Sequence, residues 1–271
     1  MEALGSRQGT FLASSPWLEV LRSFTYPDVA YKDTLWPLAV QIPGIIQCFD
    51  DIVREYASAS TANRALTILA QHVASLDIEL DNWLLTFESY FSKESGAMSP
   101  WWESSSANPV LDPIFDTTSD HASLASASFA FNGPPIHFAT VRTGEIYMLY
   151  WTYKLCLSIL SSQAQGRTHS TTSSDATNRF FDTDHDEPIK YANQICRTCE
   201  YWASARAAMP TVYNCVSFPL RTAWSWFANS GKEYHEQAQC CGEISRQMRA
   251  RLQGRVAEYV VDGLYMRPPG I

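Results

Sequence analysis

The spacing of apolar residues constrains the fold of this chain most strongly, because it follows the period of an α-helix almost throughout. From Ser60 to Phe91 apolar residues recur in steps of three and four, which places them on one face of a long helix. Ser60 or Thr61 can cap the first turn of this helix. The members of the apolar face are Leu66, Leu69, Val73, Leu76, Leu80, Trp83, Leu84, Phe87 and Phe91. No stretch alternates with period two for long enough to make a sheet, so the sequence predicts an all-α fold.

Three further segments have the same helical character. The segment 136–160 is apolar on nearly every side, which predicts a central helix surrounded by others. Pro188 follows an acidic run and suits the first turn of a helix that continues to about Ala205. A more polar helix is predicted from Gly231 to Leu252. Together these segments predict a multi-helix fold with orthogonal or antiparallel packing.

Two stretches break the helical pattern. Residues 93–135 and 162–187 are rich in Ser, Thr, Pro, Asp and Asn, a composition typical of long surface connections. Neither separates two independent apolar cores, because helices with wide apolar faces remain on both sides. We therefore predict one all-helical domain over residues 1–271, with two long loop insertions.

Charge and cysteine content narrow the classes of function. The formal net charge is −8 and the pI is about 5.2, and a negative field repels phosphate, so we predict no direct nucleic-acid binding by this chain. The odd number of cysteines, seven, favours reduced intracellular thiols over a disulfide framework. The first residues lack the cationic start and apolar core of a signal peptide, and no apolar run approaches the roughly 20 residues of a membrane span. The sequence thus predicts a soluble protein of the nucleus or cytoplasm, without a membrane partner.

One acidic motif could serve catalysis. Asp50, Asp51 and Glu55 lie in "CFDDIVREY", and Asp51 and Glu55 are one helical turn apart, where they can share a divalent cation. Class I terpene cyclases use such a motif with magnesium and diphosphate. Acid pairs at this spacing are also common on solvated helix faces, Arg54 would offset the local charge, and no second magnesium motif follows. We therefore expect no metal or cofactor, with Mg²⁺ at these three acids as the alternative.

The motif "CRTC" has the two-residue gap of zinc and redox sites. Zinc requires four ligands, and no second pair of cysteines has the required spacing, because Cys240 and Cys241 are adjacent. A redox pair would sit at a strand-to-helix junction, whereas the helical pattern places Cys196 and Cys199 in the middle of a helix. Both cysteines are therefore interpreted as small core residues.

Aromatic residues crowd three of the predicted helices and offer a site for an apolar ligand. Buried Tyr and Trp bring polar groups that need partners, so a lined pocket and plain core packing are both open interpretations. The pocket candidates are Tyr147, Tyr150, Trp151, Trp202, Phe218, Arg221 and Trp224. Helical geometry sets Phe218, Arg221 and Trp224 on one stripe. A buried arginine needs an acid, a carbonyl or a ligand anion, and Glu145 and Glu200 are the internal partners we expect.

The order of the motifs resembles that of a known family. The stretch "LWPLAVQIPGIIQCFDDI" is followed by a long helix, then by "IYMLYWTYKLCLSIL", "ANQICRTCEYW" and "FPLRTAWSWF". This order resembles the regulatory domain of fungal six-cysteine zinc-cluster transcription factors over roughly residues 14–252. The matching positions are Pro43, Gly44, Tyr150, Trp151, Ala192, Ile195, Cys196, Phe218, Pro219, Leu220, Arg221 and Ala223. The Phe-Pro-Leu-Arg block is the most specific part of the resemblance.

The resemblance implies an all-helical domain that senses metabolites or contacts protein partners. It departs in one respect, since the family's DNA-binding module holds zinc with clustered cysteines, whereas the first cysteine here is Cys48. We therefore expect a non-catalytic regulatory or ligand-sensing domain linked to fungal secondary metabolism, which binds an apolar metabolite, a protein partner or a second copy of itself. The alternative is a biosynthetic enzyme, a terpene cyclase or pericyclase, in which Asp50, Asp51, Glu55 and Arg221 would act in an aromatic-lined helical cavity.

Overall fold

Helices make up most of the described chain. The computed structural model describes residues 7–14, 16–19, 31–55, 59–95, 99–103, 131–170, 186–203 and 210–246. The helices are α1 (Tyr31–Ala39), α2 (Ile42–Glu55), α3 (Ala59–Ser95), α4 (Val141–Ser170), α5 (Asp186–Arg197), α6 (Cys199–Ala203), α7 (Pro210–Asn229) and α8 (235–246). Two strands, β1 (Trp101–Glu103) and β2 (Ile136–Phe138), a helical turn at 16–19, and short 3-10 turns at Phe11–Ala13 and Lys232–Tyr234 complete the described elements. The all-α prediction is confirmed.

Helix α3 buries the face that the sequence predicts. The buried members are Leu66, Leu69, Val73, Leu76, Leu80 and Phe87, and Trp83, Leu84 and Phe91 are half-buried. Helices α1 and α2 pack against α3. The Trp83 Nε1–H donates a hydrogen bond to Thr34 Oγ1 at 2.8 Å, which joins α1 to α3. The regular spacing of apolar residues therefore translates directly into burial along this helix.

The start of the predicted 136–160 helix is a strand, so this part of the prediction is wrong. β2 pairs antiparallel with β1, with Trp101 opposite Phe138 and Glu103 opposite Ile136. Each strand has three residues, which is too short for an alternating pattern to be recognised. Helix α4 begins at Val141 after Thr140, whose Oγ1 accepts a hydrogen bond from the Thr143 N–H at 3.0 Å as an N-cap does.

The two predicted loops are shorter than expected where they can be compared with the structure. Helix α3 continues to Ser95, and residues 101–103 and 136–138 form the small sheet. Helix α4 continues to Ser170, inside the predicted loop 162–187, so the predicted start of that loop is wrong. The centres of both loops, 104–130 and 171–185, lie outside the described residues.

The predicted helix from Pro188 to Ala205 is interrupted at Thr198. Its N–H and Oγ1–H both donate to the Ile195 carbonyl, at 3.3 and 2.7 Å, which closes a turn between α5 and α6. The "CRTC" motif therefore spans a helix junction, not the middle of a helix. Cys196 and Cys199 have no exposed surface, which confirms that they are core residues. Residues 204–209 lie outside the described chain.

The last predicted helix begins later than expected. Gly231 has a φ of 129°, a backbone conformation that favours glycine, and a 3-10 turn follows before α8 begins at residue 235. The predicted end of this helix, 247–252, lies outside the described residues.

The chain divides into two compact units, each made of two stretches. The first unit comprises Met1–Met98 with Tyr150–Tyr191, and the second comprises Ser99–Leu149 with Ala192–Ile271. Two of the boundaries fall inside α4 and α5, so each of these helices supplies its two ends to different units. The single-domain bounds stay a prediction. Among the described residues, no helix is both long enough and apolar enough to cross a membrane.

Candidate ligand-binding site

The acidic motif on α2 is held in ion pairs with arginines. Asp50 accepts two hydrogen bonds from Arg7, at 2.7 Å from Nε and 2.6 Å from Nη2, and these bonds lower the pKa of Asp50. Asp51 pairs with Arg54 at 3.3 Å, and Glu55 is exposed. Within the described residues, no group of three or more His, Cys, Asp or Glu side chains is arranged to hold a metal ion. Asp50 and Asp51 are thus engaged by arginines in this structure, and Mg²⁺ at the three acids stays a prediction.

The stripe of Phe218, Arg221 and Trp224 on α7 faces outward. Arg221 is exposed, Trp224 is 47 % exposed, and Phe218 is only partly covered. The buried face of α7 is the neighbouring stripe, made of Val216, Pro219, Leu220, Ala223, Trp226 and Phe227. Both stripes satisfy the helical period, but only the second is apolar at every position, so the second one is buried. The prediction that Arg221 is buried is therefore wrong.

Arg197, inside "CRTC", is a shielded arginine of the second unit. Its side chain is 11 % exposed and forms a salt bridge with Glu103 on β1. The Arg197 Nε–H also donates to the Pro134 carbonyl at 2.8 Å. Gly133 leaves room for this guanidinium, because a Cβ there would lie 2.6 Å from Arg197 Cζ. Arg197 thus fixes the segment before β2 and the strand β1 to the end of α5.

The small sheet and α6 bring together an aromatic cluster in the second unit. Its members are Trp101, Trp102, His137, Phe138, Tyr147, Tyr201 and Trp202. The ring centroid of Phe138 lies 5.9 Å from that of Tyr147, 5.2 Å from Tyr201 and 6.2 Å from Trp202. Trp102 stacks on His137 at 6.0 Å, and Tyr201 meets His137 edge-on at 6.2 Å. Two pocket candidates from the sequence, Tyr147 and Trp202, therefore lie in one cluster.

Two polar atoms of the aromatic cluster are buried without a hydrogen-bond partner among the described residues. They are Nε2 of His137 and Nε1 of Trp202. His137 is 4 % exposed and Trp202 is 3 % exposed. Burial lowers the pKa of His137, so its imidazole is neutral at neutral pH. Both rings contact Tyr201, whose centroid is 5.1 Å from that of Trp202. The cluster thus contains two hydrogen-bonding groups that have no partner among the described residues, and aromatic rings surround both groups.

Sequence reasoning missed five members of this site, which are Trp101, Trp102, His137, Phe138 and Tyr201. His137 and Phe138 lie in a segment assigned to a helix, where a histidine beside apolar residues has no special meaning. The available signal was Pro134–Pro135 immediately before Ile136, because prolines at this place favour an extended chain over a helix. That extended segment is the strand β2.

The remaining pocket candidates, Tyr150 and Trp151, belong to the first unit, where both are buried. Tyr150 OH donates to Asp81 Oδ1 at 2.6 Å. Lys154, one turn along α4, pairs with Asp77 at 2.6 Å and with Asp81 at 3.0 Å. Burial alone would lower the pKa of Lys154, but the hydrogen bonds to Asp77 and Asp81 outweigh it and the pKa is raised. This polar network joins α3 to α4, and each of its ionic groups has a partner.

The positions that carry the family resemblance are mostly core residues. Pro43, Tyr150, Trp151, Ala192, Ile195, Cys196, Pro219, Leu220 and Ala223 are buried. Arg221, the last residue of the Phe-Pro-Leu-Arg block, is the exposed exception. The motif order of this chain therefore describes how its helices pack more than it describes a binding surface.

Comparisons with family models, with curated proteins and with solved structures find no match for this chain. The candidate site rests on its own geometry.

Proposed function

We propose that this chain is a non-catalytic, ligand-sensing regulatory domain that binds a planar, largely apolar metabolite at the aromatic cluster. The observation that carries the proposal is the pair of buried polar atoms, His137 Nε2 and Trp202 Nε1, which have no partner among the described residues. Leaving one such group unsatisfied costs about 1–3 kcal/mol. A ligand that bonds to both groups would offset this cost and so bind with orientation as well as affinity.

The chemistry of the two atoms defines the class of ligand. The Trp202 Nε1–H is a donor only, so the ligand must offer an acceptor such as a carbonyl or phenolic oxygen. His137 Nε2 donates or accepts according to its tautomer, and its lowered pKa makes a neutral ligand the better match. The surrounding rings favour a flat, conjugated molecule that stacks or meets them edge-on.

The regulatory part of the proposal is supported by the resemblance of the motif order to fungal zinc-cluster transcription factors. In this proposal the domain acts in the nucleus, in a setting of secondary metabolism. A protein partner would make the contact with DNA, because a formal net charge of −8 disfavours direct binding to phosphates. Ligand binding would be reported by the sheet and α6, which carry most of the aromatic cluster.

Ligand titration tests this proposal. The purified chain is titrated with a hydroxyanthraquinone, a naphthol and a flavone while tryptophan fluorescence and the melting temperature are recorded. We expect saturable quenching by at least one compound, a Tm that rises with its concentration, and recovery of that compound unchanged. If none of the compounds binds at concentrations up to their solubility, the proposal is wrong.

Two matched tryptophan variants locate the binding site. Trp202→Phe keeps an aromatic ring but removes an indole N–H that has no protein acceptor among the described residues. Trp83→Phe removes an indole N–H that is bonded to Thr34, outside the aromatic cluster. We expect Trp202→Phe to weaken binding about tenfold or more, the effect of losing roughly one hydrogen bond, and Trp83→Phe to leave binding unchanged. Equal effects of the two variants would place the ligand elsewhere.

The enzymatic alternative has its own outcome. Incubation with farnesyl diphosphate, with and without magnesium, is followed by mass spectrometry of the products. A cyclised product that depends on magnesium and disappears in Asp51→Asn would establish the cyclase and exclude the non-catalytic domain. Unchanged substrate together with saturable binding in the titration would support the sensor.

A further inference from the structure

Cys196 and Cys241 form a pair of thiols in the core of the second unit. Cys196 lies on α5 and Cys241 on α8, 45 residues apart in sequence, and their sulfur atoms are 3.6 Å apart. Neither residue has exposed surface. The Cys196 thiol donates to Cys241 Sγ, and the Cys241 thiol donates to the Leu220 carbonyl of α7 at 3.4 Å. Three helices therefore meet at two sulfur atoms that already face each other.

A disulfide between these residues needs only a short approach. The sulfur atoms of a disulfide are about 2.05 Å apart, so the bond requires these two atoms to approach by about 1.5 Å from the observed 3.6 Å. We propose that Cys196 and Cys241 are a dithiol site that a hydroperoxide converts into a disulfide linking α5 to α8. This inference is independent of the proposed ligand site.

The reaction balances with the hydroperoxide as the only oxidant. One thiol loses its proton and the resulting thiolate attacks the peroxide oxygen, which breaks the O–O bond and gives a sulfenic acid. The leaving oxygen takes up the released proton and departs as water, or as an alcohol when the hydroperoxide is organic. The second thiol attacks the sulfenic sulfur, which forms the disulfide and releases a water molecule. With hydrogen peroxide, two thiols and one peroxide thus give one disulfide and two waters. The same bond returns to two thiols when a dithiol reductant is added.

Burial sets the rate of this reaction. It raises the pKa of Cys196, so this thiol is seldom ionised in the closed structure, and it keeps both Cys196 and Cys241 away from a dissolved oxidant. Cys240, the residue before Cys241, is partly exposed, which places this turn of α8 at the edge of the core. A local opening of α8 would therefore bring Cys241 to solvent. The site responds to oxidant only as fast as α8 opens.

Peptide mapping identifies the linkage directly. The reduced full chain is treated with hydrogen peroxide, remaining thiols are alkylated in urea, and the protein is digested with trypsin without reduction. Cleavage after Lys190, Arg197, Lys232 and Arg246 leaves Cys196 alone in peptide 191–197 and Cys241 together with Cys240 in peptide 233–246, so tandem mass spectrometry of the cross-linked peptides assigns the linked cysteine. We expect these two peptides as one cross-linked species, and its yield should rise when sub-denaturing urea is added during oxidation. Because the disulfide closes a loop of 45 residues, the melting temperature should rise by about 5 °C or more.

Single substitutions distinguish this linkage from others. Cys196→Ala and Cys241→Ala should each abolish the cross-link and the shift in melting temperature. Cys240→Ala, beside the proposed partner, and Cys48→Ala, on the exposed side of α2, should leave both unchanged. If the alanine variants fail to fold, the alkylation pattern of the wild-type chain still decides. Cys196 and Cys241 alkylated in full after peroxide treatment, or Cys240 found in the linkage, would overturn the proposal.

Discussion

Lys154 and its two carboxylate partners are buried to very different depths. The lysine side chain is 1 % exposed, whereas Asp77 is 29 % and Asp81 is 49 % exposed. Water can therefore stabilise either acid after the loss of the lysine, but it cannot reach the ammonium after the loss of the acids. The network is consequently asymmetric, because the charge of the lysine depends on the two acids for its stabilisation more than the charges of the acids depend on the lysine.

Removing the acids should destabilise the protein more than removing the lysine. We expect Lys154→Met to lower the free energy of unfolding by about 1–2 kcal/mol. The double variant Asp77→Asn with Asp81→Asn should lower it by about 3–5 kcal/mol, because it strands a buried cation. Urea denaturation monitored by circular dichroism measures both values. Tyr150→Phe removes one hydrogen bond to Asp81 and should cause a smaller loss in the free energy of unfolding than the double variant does. A larger loss in Lys154→Met than in the double variant would contradict this account.

Arginines illustrate what the sequence can and cannot predict about single residues. Arg221 and Arg197 both lie in apolar helical surroundings, and the sequence attracts attention to Arg221 because of its aromatic neighbours. The structure exposes Arg221 and shields Arg197 against Glu103 and Pro134. These partners are more than sixty residues away in sequence, and local periodicity carries no information about them.

In helix α4, close packing restricts which residue fits at one glycine position but not at another. Gly144 lies where a Cβ atom would be 2.8 Å from Trp202 Cζ2 and 2.9 Å from Phe138 Cδ2. Gly166, in the same helix, has no such neighbour within 4 Å. Glycine is unfavourable inside a helix. At Gly144 the close approach of the aromatic cluster leaves no room for a side chain, whereas no neighbouring atom explains the glycine at Gly166.

The two glycines of α4 should respond to alanine in opposite directions. Gly144→Ala should lower the free energy of unfolding by about 1–3 kcal/mol, because the methyl group displaces the rings of the aromatic cluster. Gly166→Ala should raise it by about 0.5–1 kcal/mol, because helix propensity improves and nothing is displaced. Denaturant titrations of the two variants make the comparison. A stabilised Gly144→Ala would mean that Trp202 and Phe138 shift aside at no cost.

The sequence predicts well those elements in which apolar residues repeat at the helical period over several turns. The apolar face of α3 repeats often enough to define the helix and its buried side. Strands β1 and β2 contain three residues each, so neither pattern nor length separates them from their surroundings. The candidate site depends on this small sheet. Only Pro134–Pro135 before Ile136 indicates an extended segment there, so the sequence identifies Tyr147 and Trp202 as pocket candidates but does not bring them together with the sheet residues.

At the scale of the whole molecule, acid should destabilise the fold in two separate steps. The pKa of His137 is lowered by burial, so the unfolded chain binds a proton at about pH 6.5 while the folded chain does not. Stability is therefore lost as the pH falls below about 6.5 toward the folded pKa. The pKa of Asp50 is lowered by Arg7, so its contribution is present above about pH 4 and is lost as the pH falls further through the folded pKa.

Calorimetric melting temperatures at a series of pH values check this prediction. His137→Phe should flatten the first decline and leave the second. His72→Gln, at an exposed position of α3, is the control and should keep both. A first decline that survives in His137→Phe would assign it to another group.

The division of the chain into two discontinuous units has a consequence for recombination of the gene. Each unit needs two separate stretches, and the joins lie within α4 and α5. The stretch 1–98 alone lacks the part of α4 whose Tyr150 and Lys154 bond to Asp81, so it does not contain its own unit in full. Any contiguous piece of the gene that encodes the whole of one unit therefore also encodes a stretch of the other, and no single crossover separates the two units.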